Sequence, residues 1–307
     1  MALLAAVVGL GLLAAPAARA GEGSLDTPTM PPECFGPAQT SGDPYPCPLV
    51  DYDARRPTLL LWGDSHAWQY IPALRRAVAG RDVNLVSFVA GSCPPVAIPK
   101  RPGKDYSAKC EQSNYEAMQT VRTLIKRKMP FRIVLGSNWS GFRIAYRRLF
   151  LEDVVPVFGY TDYTKKMVRL AHEGTPRLFT QLGKLGVDVT VIGQAATVPD
   201  LVMPCPAGQD PYQCRIPRWQ AIPEEQDTAT WLKGQMGKLR GDTRYVDATP
   251  AYCDATFCAG NVGGISTWYD HLHLSATRTR NLSSYFAGTV RQVKRDAKRR
   301  PMAARWR

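Results

Sequence analysis

A chain of 307 residues with 45% hydrophobic and 21% charged residues has an ordinary globular composition, which excludes wholesale disorder and leaves room for one large core. Its 39 Lys and Arg against 26 Asp and Glu give a net charge of +13. No zinc-finger spacing and no aromatic-basic signature points that charge toward nucleic acid.

Residues 1–20, MALLAAVVGLGLLAAPAARA, read as a signal peptide. An apolar run from Ala2 to Ala15 precedes Ala18-Arg19-Ala20, the small-x-small pattern of a cleavage site. No Lys or Arg precedes the run, so a residual membrane segment is the second reading, although the run is short for a spanning helix. Both readings place the rest of the chain outside the cytoplasm. Residues 21–57, rich in Pro, Gly and Asp, read as an N-terminal loop region.

An alternation of strands and helices then begins. Strands are predicted at 58–62, 83–89, 131–136, 187–194 and 244–249. Helices are predicted at 66–79, at 111–128, over a stretch ending near Gly186, at 224–239, and from Ser275 onward. Between Gly136 and Tyr163 the chain reads as a polar and aromatic excursion, to which no element is assigned. Strands separated by helices of this length imply a parallel sheet covered on both faces. The expected fold is therefore α/β, a three-layer α/β/α sandwich with a mostly parallel sheet of about five strands. Its domain runs over 58–290, with chemistry at the carboxyl edge of the sheet. The basic tail, 291–307, carries eight Lys and Arg and one Asp, a charge suited to an anionic membrane or glycan.

Eight cysteines fall into near neighbours: Cys34/Cys47, Cys93/Cys110, Cys205/Cys214 and Cys253/Cys258. An even number in an exported chain argues for disulfides, and local pairing would staple four loops, though sequence alone does not fix connectivity. No Cys-x-x-Cys occurs, so zinc is not expected, nor any other metal or cofactor.

The chemistry gathers in two places. Gly63-Asp64-Ser65-His66 follows the first strand, where Ser65 is either a nucleophile or merely the cap of the next helix. Only four histidines exist, and the segment YDHLHLS places Asp270 three residues before His273. A tight loop there brings both side chains to the same sheet edge. The imidazole then takes the Ser65 proton and the carboxylate fixes its tautomer. Asp64 is expected to order the turn, His66 and His271 to pack, and His172 to sit on a solvated helix face. Of the tryptophans near these motifs, Trp62, Trp68 and Trp268 are assigned to the core and Trp139 to a possible substrate contact.

The pairing of GDSH with DHLHLS resembles the SGNH (GDSL-like) hydrolase superfamily, a flavodoxin-like fold. That resemblance implies a catalytic set of Ser65, Asp270 and His273. It also implies an oxyanion hole from the Ser65 N–H, Gly91 in VAGSC and Asn138 in GSNWS, with Trp139 standing where an Asp is usual. A narrower resemblance spans about Thr58 to Ala287 and rests on LLLWGDSHAWQYIPAL, GSCPP, CEQSN, VIGQAATVP, CDATFC and YDHLHLS. These are similar to the periplasmic SGNH domain of membrane acyltransferases that modify bacterial surface polysaccharides. It implies transfer of an acyl group, chiefly acetyl, to lipopolysaccharide or another glycan through a Ser65 acyl-enzyme. The partners implied are an acyl donor, a carbohydrate acceptor and an integral membrane acyltransferase. The alternatives are a carbohydrate O-acetyl esterase, a GDSL-type lipase, or a glycan-binding accessory module without activity.

Overall fold

The computed structural model describes residues 26–29, 47–100, 109–152, 161–198 and 215–299. The N-terminal segment, Cys34, Cys205, Cys214 and residues 300–307 lie outside them.

The first strand, β1 (Cys47–Pro48), is short; β2 (Thr58–Gly63), β3 (Asn84–Val89), β4 (Phe131–Gly136) and β5 (Val189–Ile192) come next along the chain. Two further strands, β6 (Arg215–Pro217) and β7 (Thr243–Val246), precede β8 (Phe257–Ala259), β9 (Asn261–Val262) and β10 (Ile265–Ser266). The main sheet has six strands in the order β1-β3-β2-β4-β5-β7. Five of them are parallel, and β1 adds an antiparallel edge. The five parallel strands are the five expected from sequence. The edge strand β1 and the two small pairs, β6 with β8 and β9 with β10, are additions.

Helices cover both faces, as the uninterrupted apolar run of β2 requires. Leu59 and Leu61 point into one core with Ile71, Leu74, Phe286, Val290 and Val293. Leu60 and Trp62 point into the other with Met118, Val121, Leu178, Phe179 and Leu182. The first core lies under α1 (Ser65–Trp68), α2 (Ile71–Val78) and a C-terminal helical group. The second lies under α3 (Lys109–Lys126), α4 (Trp139–Phe150) and α5 (Asp162–Leu185). Next come the short α6 (Arg218–Ala221) and α7 (Glu225–Met236), whose Leu232 joins the second core. The C-terminal group is α8 (Ala276–Asn281), a 3-10 turn at Ser283–Phe286, and α9 (Ala287–Arg299).

Two expectations are corrected. The single helix over 66–79 is broken into α1 and α2, because Pro72 in the first turn of α2 has no N–H to donate and its ring excludes the preceding turn. The excursion after Gly136 is the regular helix α4, capped by the Asn138 side chain accepting the Gly141 N–H. Its signal was Trp139, Phe142, Tyr146 and Phe150 at helical spacing, interrupted by Arg143 and Arg147 on the same side of the helix.

Candidate active site

Strand register sets the frame. Gly63 pairs with Val89 on one side and with Gly136 on the other. Ser65, Gly91 and Asn138 therefore each stand two residues beyond one common rung at the carboxyl edge. Gly63 has φ +153°, and a Cβ there would lie 1.8 Å from the Gly136 carbonyl oxygen. A Cβ on Gly136 would in turn press on the backbone of Ala67. Two glycines thus let α1 start directly on top of the strand ends.

Asp64, not Ser65, caps that helix. Its Oδ1 accepts the His66 N–H at 2.8 Å. Its Oδ2 accepts the Ser137 hydroxyl at 2.6 Å and the Asn138 N–H at 2.9 Å. One buried carboxylate therefore ties the serine turn to the asparagine loop. Burial pushes the Asp64 pKa up to about 6, against the pull of the Ser137 hydroxyl and two backbone N–H groups.

Relieved of capping, the Ser65 Oγ lies 2.7 Å from His273 Nε2. His273 Nδ1 lies 2.8 Å from Asp270 Oδ2 and 3.0 Å from Oδ1. With Nδ1–H donated to Asp270, Nε2 holds the lone pair that can accept the serine proton. The tight loop is made by Asp270 itself, whose Oδ1 accepts the backbone N–H groups of Leu272 at 2.8 Å and His273 at 2.7 Å. Burial raises the Asp270 pKa, but the His273 ring and those N–H groups outweigh it and hold the carboxyl below its ordinary value. Tyr269 stacks on the His273 ring with centroids 5.5 Å apart.

His66 is buried 5.2 Å from the His273 ring, and neither of its ring nitrogens has a partner among the described residues. Burial lowers its pKa to about 3, so it packs as a neutral ring. His172 is exposed on α5 and stacks on Tyr146 with ring centroids 3.5 Å apart. His271 contributes its carbonyl to the Val198 N–H.

Asn138 accepts through Oδ1 from Gly141 N at 3.2 Å and from Gln194 Nε2 at 3.3 Å. Gln194 is itself fixed, donating to the Ala195 carbonyl at 2.9 Å and accepting from Ser140 N at 3.0 Å. With its oxygen so engaged, Asn138 has its Nδ2 left to donate elsewhere. Gln194 was not singled out from sequence, although it lies in the VIGQAATVP stretch. Its signal is positional: Leu135 pairs with Val191, and Gln194 is as far past Val191 as Asn138 is past Leu135.

Gly91 is exposed at the start of a loop that the Cys93–Cys110 disulfide ties to α3. Asn114, fully buried one turn into α3, organises that loop. Its Oδ1 accepts Trp62 Nε1 and Val96 N, both at 2.8 Å, and its Nδ2 donates to the Pro94 and Cys110 carbonyls at 3.0 Å. Cys253 and Cys258 form a second disulfide. Cys47 is disulfide-bonded too; Cys34, expected to be its partner, and the Cys205/Cys214 pair lie outside the described residues.

Trp139 is buried, its Nε1 donating to the Ile192 carbonyl at 2.8 Å. It lines a cavity of about 370 Å³ with Phe142, Arg143, Tyr146 and Trp231, beside the Asn138 loop. Trp62 and Trp268 are core residues and Trp68 packs half-buried against the first core. Among the described residues, no cluster of His, Cys, Asp and Glu could hold a metal ion.

Fold and site together define an α/β sandwich with a Ser-His-Asp row at the carboxyl edge of its sheet. The family described as "SGNH domain (fused to AT3 domains)" matches residues 33–288, and the chain belongs to that family. Among solved structures it resembles the lipopolysaccharide acetyltransferase periplasmic domain of Salmonella ser. Paratyphi A. The identity is 15%, the TM-score 0.47, and the match covers 78% of this chain and 85% of that one. It also resembles a carbohydrate acetylesterase family member from Sinorhizobium meliloti, at 10% identity and TM-score 0.30, over 78% of this chain and 98% of that one. No curated protein matches the chain.

Proposed function

We propose that the chain is an exported serine O-acyltransferase that moves an acyl group, chiefly acetyl, onto bacterial envelope carbohydrate such as lipopolysaccharide. The observation that carries this reading is the continuous row from Ser65 Oγ through His273 to Asp270. In the first half-reaction His273 Nε2 takes the Ser65 proton as Oγ bonds to the acyl carbon of the donor. The carbonyl oxygen becomes an oxyanion, met by the N–H groups of Ser65 and Gly91 and by Asn138 Nδ2. Collapse breaks the bond to the leaving oxygen, which departs with the proton from His273. In the second half a sugar hydroxyl gives its proton to His273, attacks the Ser65 ester, and leaves as the acylated glycan while Ser65 recovers its proton.

Membership in a family whose SGNH domains are fused to AT3 domains supports an integral membrane acyltransferase as the source of the acyl group. No helix among the described residues is long and apolar enough to cross a membrane. The N-terminal apolar run and the disulfides support a periplasmic or other extracytoplasmic site of action. The aromatic cavity beside Asn138 supports a sugar-binding role for that side of the cleft, including Trp139.

The test uses p-nitrophenyl acetate with and without a polysaccharide acceptor. Release of nitrophenol that disappears in Ser65→Ala supports the acyl-enzyme, and equal rates for the two proteins overturn it. Acetylated glycan in the mass spectrum marks a transferase; free acetate alone marks an esterase.

A further inference from the structure

At the other end of the sheet the surface is built for a different ligand. A groove of about 580 Å³ is lined by Arg81, Arg244, Arg291, Lys294, Arg295 and Lys298, with Gly288 and Gln292. Among the described residues six cations line it, and neither a carboxylate nor an aromatic ring does. Arg291, Lys294, Arg295 and Lys298 stand at i, i+3, i+4 and i+7 on α9, so they form one stripe. Val290 and Val293 on the same helix are buried in the first core, which fixes the stripe outward.

The other two cations come from elsewhere in the chain. Arg81 lies in the turn before β3, and Arg244 on β7. Arg244 reaches the groove past Gly288, where a Cβ would lie 2.3 Å from its guanidinium Nη1. Its Nε is buried there with no partner among the described residues. Asp296, the acid on the same helix, lines the neighbouring cleft with Asp188 instead. The sequence past the helix continues the sign with Arg300, Arg305 and Arg307.

We propose that this groove is a docking surface for an anionic phospholipid bilayer. Clustered cations with no carboxylate among them attract lipid phosphates at about 1 kcal/mol, or roughly fivefold, for each charge near the surface. The absence of an aromatic platform turns the groove from sugar rings toward phosphate. Arg81 precedes β3 and Arg244 is the second residue of β7, so the groove lies at the amino ends of the strands, whereas Ser65 lies at their carboxyl ends. Six residues of β2 at about 3.3 Å each put roughly 20 Å between the two edges. Docking therefore holds the protein at the bilayer without covering the cleft. The inference does not rest on the acyltransferase reading.

The test is cosedimentation of the full chain with vesicles of phosphatidylcholine alone and of phosphatidylcholine with phosphatidylglycerol. The quantity read is the extra binding to the anionic vesicles, because the apolar N-terminal segment meets both kinds. Wild type should show such an excess, falling as salt is raised. R291E/R295E should lower it more than tenfold, with melting unchanged. Arg81→Glu, far from the tail in sequence, should lower it as well. Ser65→Ala should bind like wild type. Equal binding to both vesicles overturns the proposal. So does an excess untouched by R291E/R295E and by Arg81→Glu, or capture by a soluble anionic polysaccharide with none by vesicles.

Discussion

Gln69 and Leu274 are 205 positions apart, and the Gln69 Oε1 accepts the Leu274 N–H at 2.7 Å in the core. Gln69 follows the last residue of α1 and Leu274 follows His273, so one amide fastens the His273 loop to the helix that carries Ser65. The other end of the same amide donates to the His66 carbonyl at 3.2 Å. Gln69→Ala leaves the Leu274 N–H buried without an acceptor, at a cost of about 1–3 kcal/mol. Urea denaturation should show that loss, and kcat for a nitrophenyl ester should fall while KM holds. Unchanged kcat in the folded variant would remove Gln69 from the account of the site.

Asp64 gives stability a pH dependence of known sign. Its folded pKa of about 6 stands above the ordinary 3.8, so the folded state holds an extra proton between those values. The group's contribution is then full below pH 4 and is lost as pH rises through about 6, a change of about 3 kcal/mol. Asp64→Asn should remove that slope from denaturation midpoints measured between pH 4 and 7. It should also lower activity, because an amide cannot accept from the Ser137 hydroxyl, Asn138 N–H and His66 N–H alike. The same slope in variant and wild type would assign it to another group.

On the proposed mechanism Gln194 acts through Asn138, whose Oδ1 accepts its amide N–H. Removing an oxyanion donor outright costs about 10²–10³ in kcat, and loosening one costs part of that. Gln194→Ala should lower kcat roughly tenfold or more with little change in KM. Asn138→Ala should cost more, and the double variant no more than Asn138→Ala. Additive losses in that cycle would mean that the two residues act separately.

Asn114→Ala strips the acceptor from two buried donors, Trp62 Nε1 and Val96 N. A loss of about 2–4 kcal/mol is expected on that ground, visible as a lowered melting temperature. Asn114→Asp keeps the acceptor oxygen for both donors but sets its second oxygen against the Pro94 and Cys110 carbonyls, so it should recover part of the loss only at low pH, where the acid is protonated. No difference in melting between the two variants at low pH would count against the hydrogen-bond explanation.

The β-strands were legible in the sequence because both faces of the sheet are buried, which leaves runs such as LLLW with no polar interruption. Ser65, His273 and Asp270 were legible as motifs, and the structure brings them into hydrogen-bond contact. The amides were harder to read. Gln69, Asn114 and Gln194 matter through partners 205, 52 and 56 residues away, and no periodicity records such pairs. Helix α4 was obscured differently, since its arginines break an apolar stripe that is otherwise at helical spacing. Asp64 could be read as a turn residue, but its hold on Asn138 depends on two strands being adjacent in register.

That shared rung also sets an order of failure on warming. Ser65, Gly91 and Asn138 hang a short way past central strands, the last part of such a fold to open. Asp270 and His273 instead sit in the stretch between β7 and α8, held by the Cys253–Cys258 disulfide, the buried Trp268, short strand pairs and the Gln69 amide rather than by a long strand of the main sheet. On the proposed mechanism, heat should therefore detach His273 while the three groups of the proposed oxyanion hole are still assembled. The enzyme would fall silent some degrees before it melts, and cooling from that range should restore turnover without refolding.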